Sequence, residues 1–320
     1  MKPHSHDTTD QIDSALEASR EGMRAVWISL AALGLTAALQ ALIVVWSGSV
    51  ALLGDTLHNV ADALTAVPIG IAFVLGRRPP TRRYTYGFGR AEDLAGIMVV
   101  LIIAASAVLA GVEAFRRLLN PAEVSHLGAV AVAGLIGFAG NELVAQYRIR
   151  VGRRIGSAAL VADGLHARTD GFTSLGVLVS AGGLALGWRW ADPVVGLAIT
   201  AAIVVVLGGA ARQVYRRLMD AVDASLVDSV EAALRDTPRL LDVGSVRLRW
   251  IGHQLRAECE IVVDPDLSLV DAHDIAVDAE HRLLHAVPRL GSAIVHADPQ
   301  PRAGIDHHEV VAHHRTGDDG

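Results

Sequence analysis

Apolar stretches about as long as a bilayer is thick recur along the chain. They lie at roughly Arg24–Trp46, Ser49–Leu75, Leu94–Phe115, Leu127–Tyr147, Ile155–Leu186 and Pro193–Val214. A helix needs about 20 such residues to span the hydrocarbon core, so the pattern predicts six transmembrane helices. The second and fifth stretches are interrupted in the middle by His and Asp. Beyond Leu218 the pattern changes. Asp223–Asp236 reads as an amphipathic helix ended by Pro238, and Val270–Val287 as a second, ended by Pro288. Val243–Ile251 and Leu255–Val263 alternate like half-buried strands, and Ser292–His296 is a third, shorter one. The order α-β-β-α-β predicts a small α+β domain with its helices on one face of a sheet.

The segments between spans carry the orientation. Arg77, Arg78, Arg82, Arg83 and Arg90 follow the second span, Arg148, Arg150, Arg153 and Arg154 the fourth, and Arg212, Arg216 and Arg217 close the sixth. The other side offers Ser47-Gly48, then Arg116 and Arg117, then Arg189. Basic loops stay in the cytoplasm, which predicts both termini inside. The expected organisation is a polar cytoplasmic segment over 1–23, a transmembrane domain over 24–218, a cytoplasmic domain over 219–302 and a disordered, His-containing tail over 303–320.

Composition narrows the class. Hydrophobic residues are 52% of the 320, before 31 Gly are added; soluble domains reach only about 45–50% with Gly included. A formal net charge of -6 argues against a nucleic-acid binder. The single Cys259 excludes an intramolecular disulfide. The polar, acidic start, with Asp7, Asp10, Asp13, Glu17 and Glu21, is unlike a cleavable signal peptide. The first apolar run is therefore expected to remain as an anchor.

The chemistry lies in a repeat. The second span carries Leu52, Asp55, Leu57, His58, Asp62 and Thr65; the fifth carries Leu160, Asp163, Leu165, His166, Asp170 and Thr173, with every offset matched. His at i and Asp at i+4 share one helix face, a turn apart. Two such helices supply two imidazoles and two carboxylates, a tetrahedral set suited to Zn²⁺ whose two negative charges offset the ion's. Buried polar pairs that hold helices together are the plainer explanation, but ionisable groups inside a membrane usually mark function. Asp55 and Asp163 read either as groups supporting the ligands or as solvated or capping residues. Arg168 points to another side of its helix, where an acid partner or snorkelling is expected.

These motifs and their flanks resemble the cation diffusion facilitator family. Besides His58-x-x-x-Asp62 and His166-x-x-x-Asp170, the shared stretches are Ser49–Leu53, Tyr86–Glu92, Ala191-Asp192-Pro193, Leu269–His273 and His296–Pro299. The likeness runs from about Arg24 to Pro299. It implies six transmembrane helices, a ferredoxin-like αββαβ cytoplasmic domain, a homodimer in the bilayer, and export of a divalent metal in exchange for protons by alternating access. It implies His58, Asp62, His166 and Asp170 as the transport site, with zinc as the expected substrate and Mn²⁺, Fe²⁺, Co²⁺, Ni²⁺ or Cd²⁺ as alternatives. No organic cofactor and no enzymatic activity are expected, and the cytoplasmic membrane is the expected location. A non-transporting metal sensor is the alternative of another class.

By the same resemblance, His273, His296 and Asp298 match positions that bind metal in the cytoplasmic domain, and Glu260 stands where some relatives have His. Zinc is the expected ligand there too. Tyr84 and Phe88 stand where some relatives carry loop His residues, so that loop site is expected to be missing. The His281/His285 pair and the terminal His4, His6, His307, His308, His313 and His314 read as solvated surface and tail.

Overall fold

The computed structural model describes residues 7–47, 66–119, 127–188 and 190–302. The elements are helices α1 (Asp7–Ser47), α2 (Ala66–Gly76), α3 (Ala91–Leu119), α4 (Leu127–Ile155), α5 (Ala158–Ala185), α6 (Ala191–Leu218) and α7 (Ala224–Arg235), strands β1 (Asp242–Ile251) and β2 (Gln254–Val263), helix α8 (Leu269–Ala286) and strand β3 (Leu290–Pro299). They fall into two compact units, Ser14–Met219 and Asp220–Gly320, the latter grouped with Met1–Asp13.

Among the described residues of the first unit, Arg20–Ile43 of α1 and nearly all of α3, α4 and α6 are long and apolar enough to cross a membrane. The fifth predicted span is helical over Ala158–Ala185 as expected, with Asp163, Arg168 and Asp170 inside it. The second is described only from Ala66, so Ser49–Thr65, with His58, Asp62 and Asp55, lies outside the described residues. Two boundaries differ from the sequence reading. Helix α1 starts at Asp7 rather than near Arg24, because apolar run length reports where a helix is apolar, not where its backbone stops being helical. Helix α4 continues past Tyr147 to Ile155, so Arg148 and Arg150 are helical residues, not loop.

Helix α5 sits at the centre of this unit, packed on α3, α4 and α6. Its buried positions are mostly Ala, Gly and Ser. Such small side chains let helix backbones approach closely where no hydrophobic effect drives them together. Gly164 is the clearest case: a Cβ there would lie 3.0 Å from the Ile149 backbone N and 3.1 Å from the Ala145 carbonyl oxygen. The α4–α5 turn is tight. Gly156 takes φ 76° and the Ser157 N–H donates to the Gly152 carbonyl at 2.9 Å, a Schellman ending. Ser157 then caps α5, its hydroxyl accepting from the Leu160 N–H. Arg217 of α6 donates to the Gly156 carbonyl and lies 3.8 Å from Asp93 of α3, tying three elements at one end of the bundle. Leu101, Leu143 and Val205 face outward, as a lipid-facing surface requires.

The second unit is the expected αββαβ domain. The sheet order is β1-β2-β3, with β1 antiparallel and β3 parallel to the central β2. A parallel return needs a crossover, which α8 supplies. Leu255, Ala257, Cys259, Ile261 and Val263 alternate onto the buried face, where they meet Val230 and Leu234 of α7 and Ile275, Ala279 and Leu283 of α8. Strand β3 is longer than the Ser292–His296 read from sequence, since it pairs with β2 from Leu290 to Pro299. Residues 303–320 lie outside the described residues, with the expected disordered tail.

Candidate metal centre

The α5 half of the repeated motif is buried within the helix bundle. Asp163, His166 and Asp170 are all under 5% exposed. His166 Nδ1 and Asp170 Oδ1 stand 3.8 Å apart, one turn along the helix. Two donors of a tetrahedral ion with bonds of about 2.05 Å are about 3.3 Å apart, so a small side-chain adjustment brings both onto one ion. The Thr169 hydroxyl donates to the His166 carbonyl at 2.7 Å, and the Thr173 hydroxyl to the Thr169 carbonyl at 3.2 Å. Both threonines thereby satisfy their hydroxyls within the helix. His58 and Asp62, the other half, lie outside the described residues. Among the described residues, no three His, Cys, Asp or Glu converge as a metal site.

Asp163 has another partner. Arg148 of α4 places Nη1 2.7 Å from Asp163 Oδ2, with both side chains at most 1% exposed. The carboxylate one turn before His166 is therefore engaged by a guanidinium. Arg168 follows the sequence expectation of an acid partner, and that partner is Glu142 of α4. Nε donates to Oε2 at 3.1 Å and Nη2 to Oε1 at 3.0 Å, a two-pronged pair. Gln146 donates to Glu142, and Arg150 donates to Gln146, extending the chain along α4. Sequence reasoning took Arg148 for a loop charge and passed over Glu142 and the buried Gln40 and Asn141. Each is a polar residue in or beside an apolar run, the signal that singled out the His and Asp residues.

In the second unit, His296 Nε2 lies 3.1 Å from Asp298 Oδ1 on β3. Glu260 of β2 is the register partner of His296 and accepts from the Ser245 N–H at 3.4 Å. His273 is exposed on α8. His281 and His285 stand exposed, rings edge to face at 4.5 Å. Tyr84 and Phe88, in the loop before α3, pack with ring centroids 4.8 Å apart. Burial pushes the Cys259 thiol up to about 12, with Glu258 adding to it. That leaves Cys259 protonated and a poor ligand.

Comparison with known proteins places these features together. The family profile described as the cation efflux transmembrane domain matches residues 26–219, and that of the cation efflux protein, cytoplasmic domain, matches 222–300. A probable cation efflux system protein of Mycobacterium tuberculosis is 63% identical over 93% of this chain and 90% of its own length. The manganese efflux system protein MneP of Bacillus subtilis is 24% identical over 78% of this chain and 87% of its own. The cation-efflux pump FieF of Yersinia pestis is 26% identical over 85% and 93%. A solved MamM-CTD structure is 23% identical, covering 24% of this chain and 98% of that one at a TM-score of 0.24. The chain belongs to the cation efflux, or cation diffusion facilitator, family: a multi-pass membrane transporter of divalent metal, not an enzyme, with a cytoplasmic C-terminal domain.

Proposed function

We propose that this transporter exports zinc in exchange for protons through His58, Asp62, His166 and Asp170. The observation that carries the reading is the repeat itself: the same His-x-x-x-Asp pair on two predicted spans, with His166 and Asp170 buried side by side on α5. A His or carboxylate must be deprotonated to bind metal, so loading releases protons and an acidic outer medium displaces the ion. One set of groups then couples both fluxes as the helices alternate between inward-open and outward-open arrangements. Two imidazoles with two carboxylates suit Zn²⁺, although geometry and availability, not ligand type alone, set selectivity.

In the same proposal the protein is a homodimer in the cytoplasmic membrane with both termini inside. Residues 24–218 form the transport domain and 219–302 the metal-sensing domain. His273, His296 and Asp298, with Glu260, bind zinc beside or between the paired cytoplasmic domains and shift the population of transport conformations.

The test is zinc flux in proteoliposomes under an imposed pH gradient, with Asp170→Asn beside the parent. The parent moves zinc opposite to the imposed proton flow; the variant elutes as the parent does and moves none. Flux of Mn²⁺ or Fe²⁺ without zinc overturns the metal, and full flux in Asp170→Asn overturns the site.

A further inference from the structure

Between α1 and α2 runs a furrow of about 390 Å³, open to the outside of the bundle. Val26, Trp27 and Leu30 of α1 face Val67 and Gly70 of α2 across it. Its floor is low because Gly70 has no side chain: a Cβ there would still be 3.8 Å from Val26 Cγ1. Trp27 is 63% exposed along one wall. From Met23 to Leu30 the furrow follows about 10 Å of helix, against about 15 Å of hydrocarbon in one leaflet. One end is different. There Arg78 lines the furrow just beyond α2, exposed, with its guanidinium unpaired among the described residues. The other four Arg of residues 77–90 do not line the furrow, and Arg90 pairs with Asp93 at 3.3 Å.

Apolar walls for most of a leaflet's depth, closed at the membrane surface by a guanidinium unpaired among the described residues, match the polarity of one kind of molecule. We propose that this furrow is a binding site for an anionic phospholipid of the cytoplasmic leaflet. One acyl chain lies along Gly70 between Trp27 and Val67, and the headgroup phosphate meets Arg78. The guanidinium fork suits phosphate geometry. A zwitterionic headgroup would bring its own cation against Arg78, which makes the preference one for net negative charge. As the basic residue lining the furrow, Arg78 contributes about fivefold to anionic-lipid binding.

Trp27 reports on the site directly. The full-length protein is placed in phosphatidylcholine bilayers carrying acyl-brominated phosphatidylglycerol or, at equal mole fraction, acyl-brominated phosphatidylcholine. Fluorescence lost in the parent but not in Trp27→Phe isolates the Trp27 signal. Brominated phosphatidylglycerol is expected to reach half-quenching at about fivefold lower mole fraction than brominated phosphatidylcholine. Arg78→Gln brings the two curves together, and Arg78→Lys keeps part of the separation. Gly70→Leu, which fills the floor without touching the charge, weakens quenching by phosphatidylglycerol while elution stays that of the parent. Coincident curves in the parent, or a preference that survives Arg78→Gln, overturn the proposal. So does the lack of quenching by either lipid, which would mean that protein covers the furrow.

Discussion

Asp163→Asn isolates the buried ion pair beside the metal motif. The substitution keeps the side chain's shape and removes its charge, leaving the Arg148 guanidinium inside the bundle without its counter-ion. Arg148 and Asp163 are 2.7 Å apart and at most 1% exposed. Nε and Nη2 of Arg148 have no hydrogen-bond partner among the described residues. Breaking a buried pair from one side costs about 3–5 kcal/mol. For a unit of this size that is a fall in Tm of about 6–20 °C. Removing both charges in Arg148→Met/Asp163→Leu costs far less, because the desolvation of both ions is recovered. The double-mutant cycle therefore shows a large coupling. Thermal unfolding of the purified protein followed by intrinsic fluorescence supplies the Tm values, and flux of the transported metal per folded protein supplies KM. Since Arg148 already engages Asp163, that KM should change little in the folded fraction. A Tm within about 2 °C of the parent would refute the energetics. An unchanged Tm with KM raised about tenfold would put Asp163 among the metal ligands instead.

Two further predictions concern packing and titration. Gly164→Ala drives a Cβ to 2.8 Å from Ile149 Cγ1 and against backbone atoms of α4 that cannot yield. A net loss of about 1–3 kcal/mol follows, whereas Gly208→Ala, whose Cβ meets nothing within 4 Å, should be neutral or stabilising; equal Tm values for the two variants would contradict the close approach of α4 and α5. The Cys259 thiol is pushed up from 9.0 to about 12 by burial, so the folded protein holds it neutral at pH values where the unfolded chain ionises. Stability from this group is full below about pH 9 and is lost as pH rises toward 12. At about pH 8, iodoacetamide should label Cys259 only after denaturation; fast labelling of the folded protein would contradict the burial.

What one helix or strand does by itself could be read from the chain. Apolar run length and the placement of arginines are local, so the spans and their orientation follow from them. The αββαβ order follows from period and punctuation. The His166/Asp170 spacing puts that pair on one helix face before any packing is known, while the matching His58/Asp62 pair lies outside the described residues. Partnership between elements was decided by tertiary structure. Arg148 looked like a cytoplasmic loop charge until α4 proved to extend to Ile155 and to fold back on α5 through the Gly156 turn. Antiparallel packing then sets Arg148 against Asp163 and Glu142 against Arg168. Those pairings are separated by 15 and 26 residues and carry no periodic signal. Their reason is energetic: a charge inside the bundle must find its counter-charge on whichever helix lies beside it. Strand β3 makes the same point in the cytoplasmic domain. Five alternating residues announced it, and only the length of its partner β2 determined that it runs from Leu290 to Pro299.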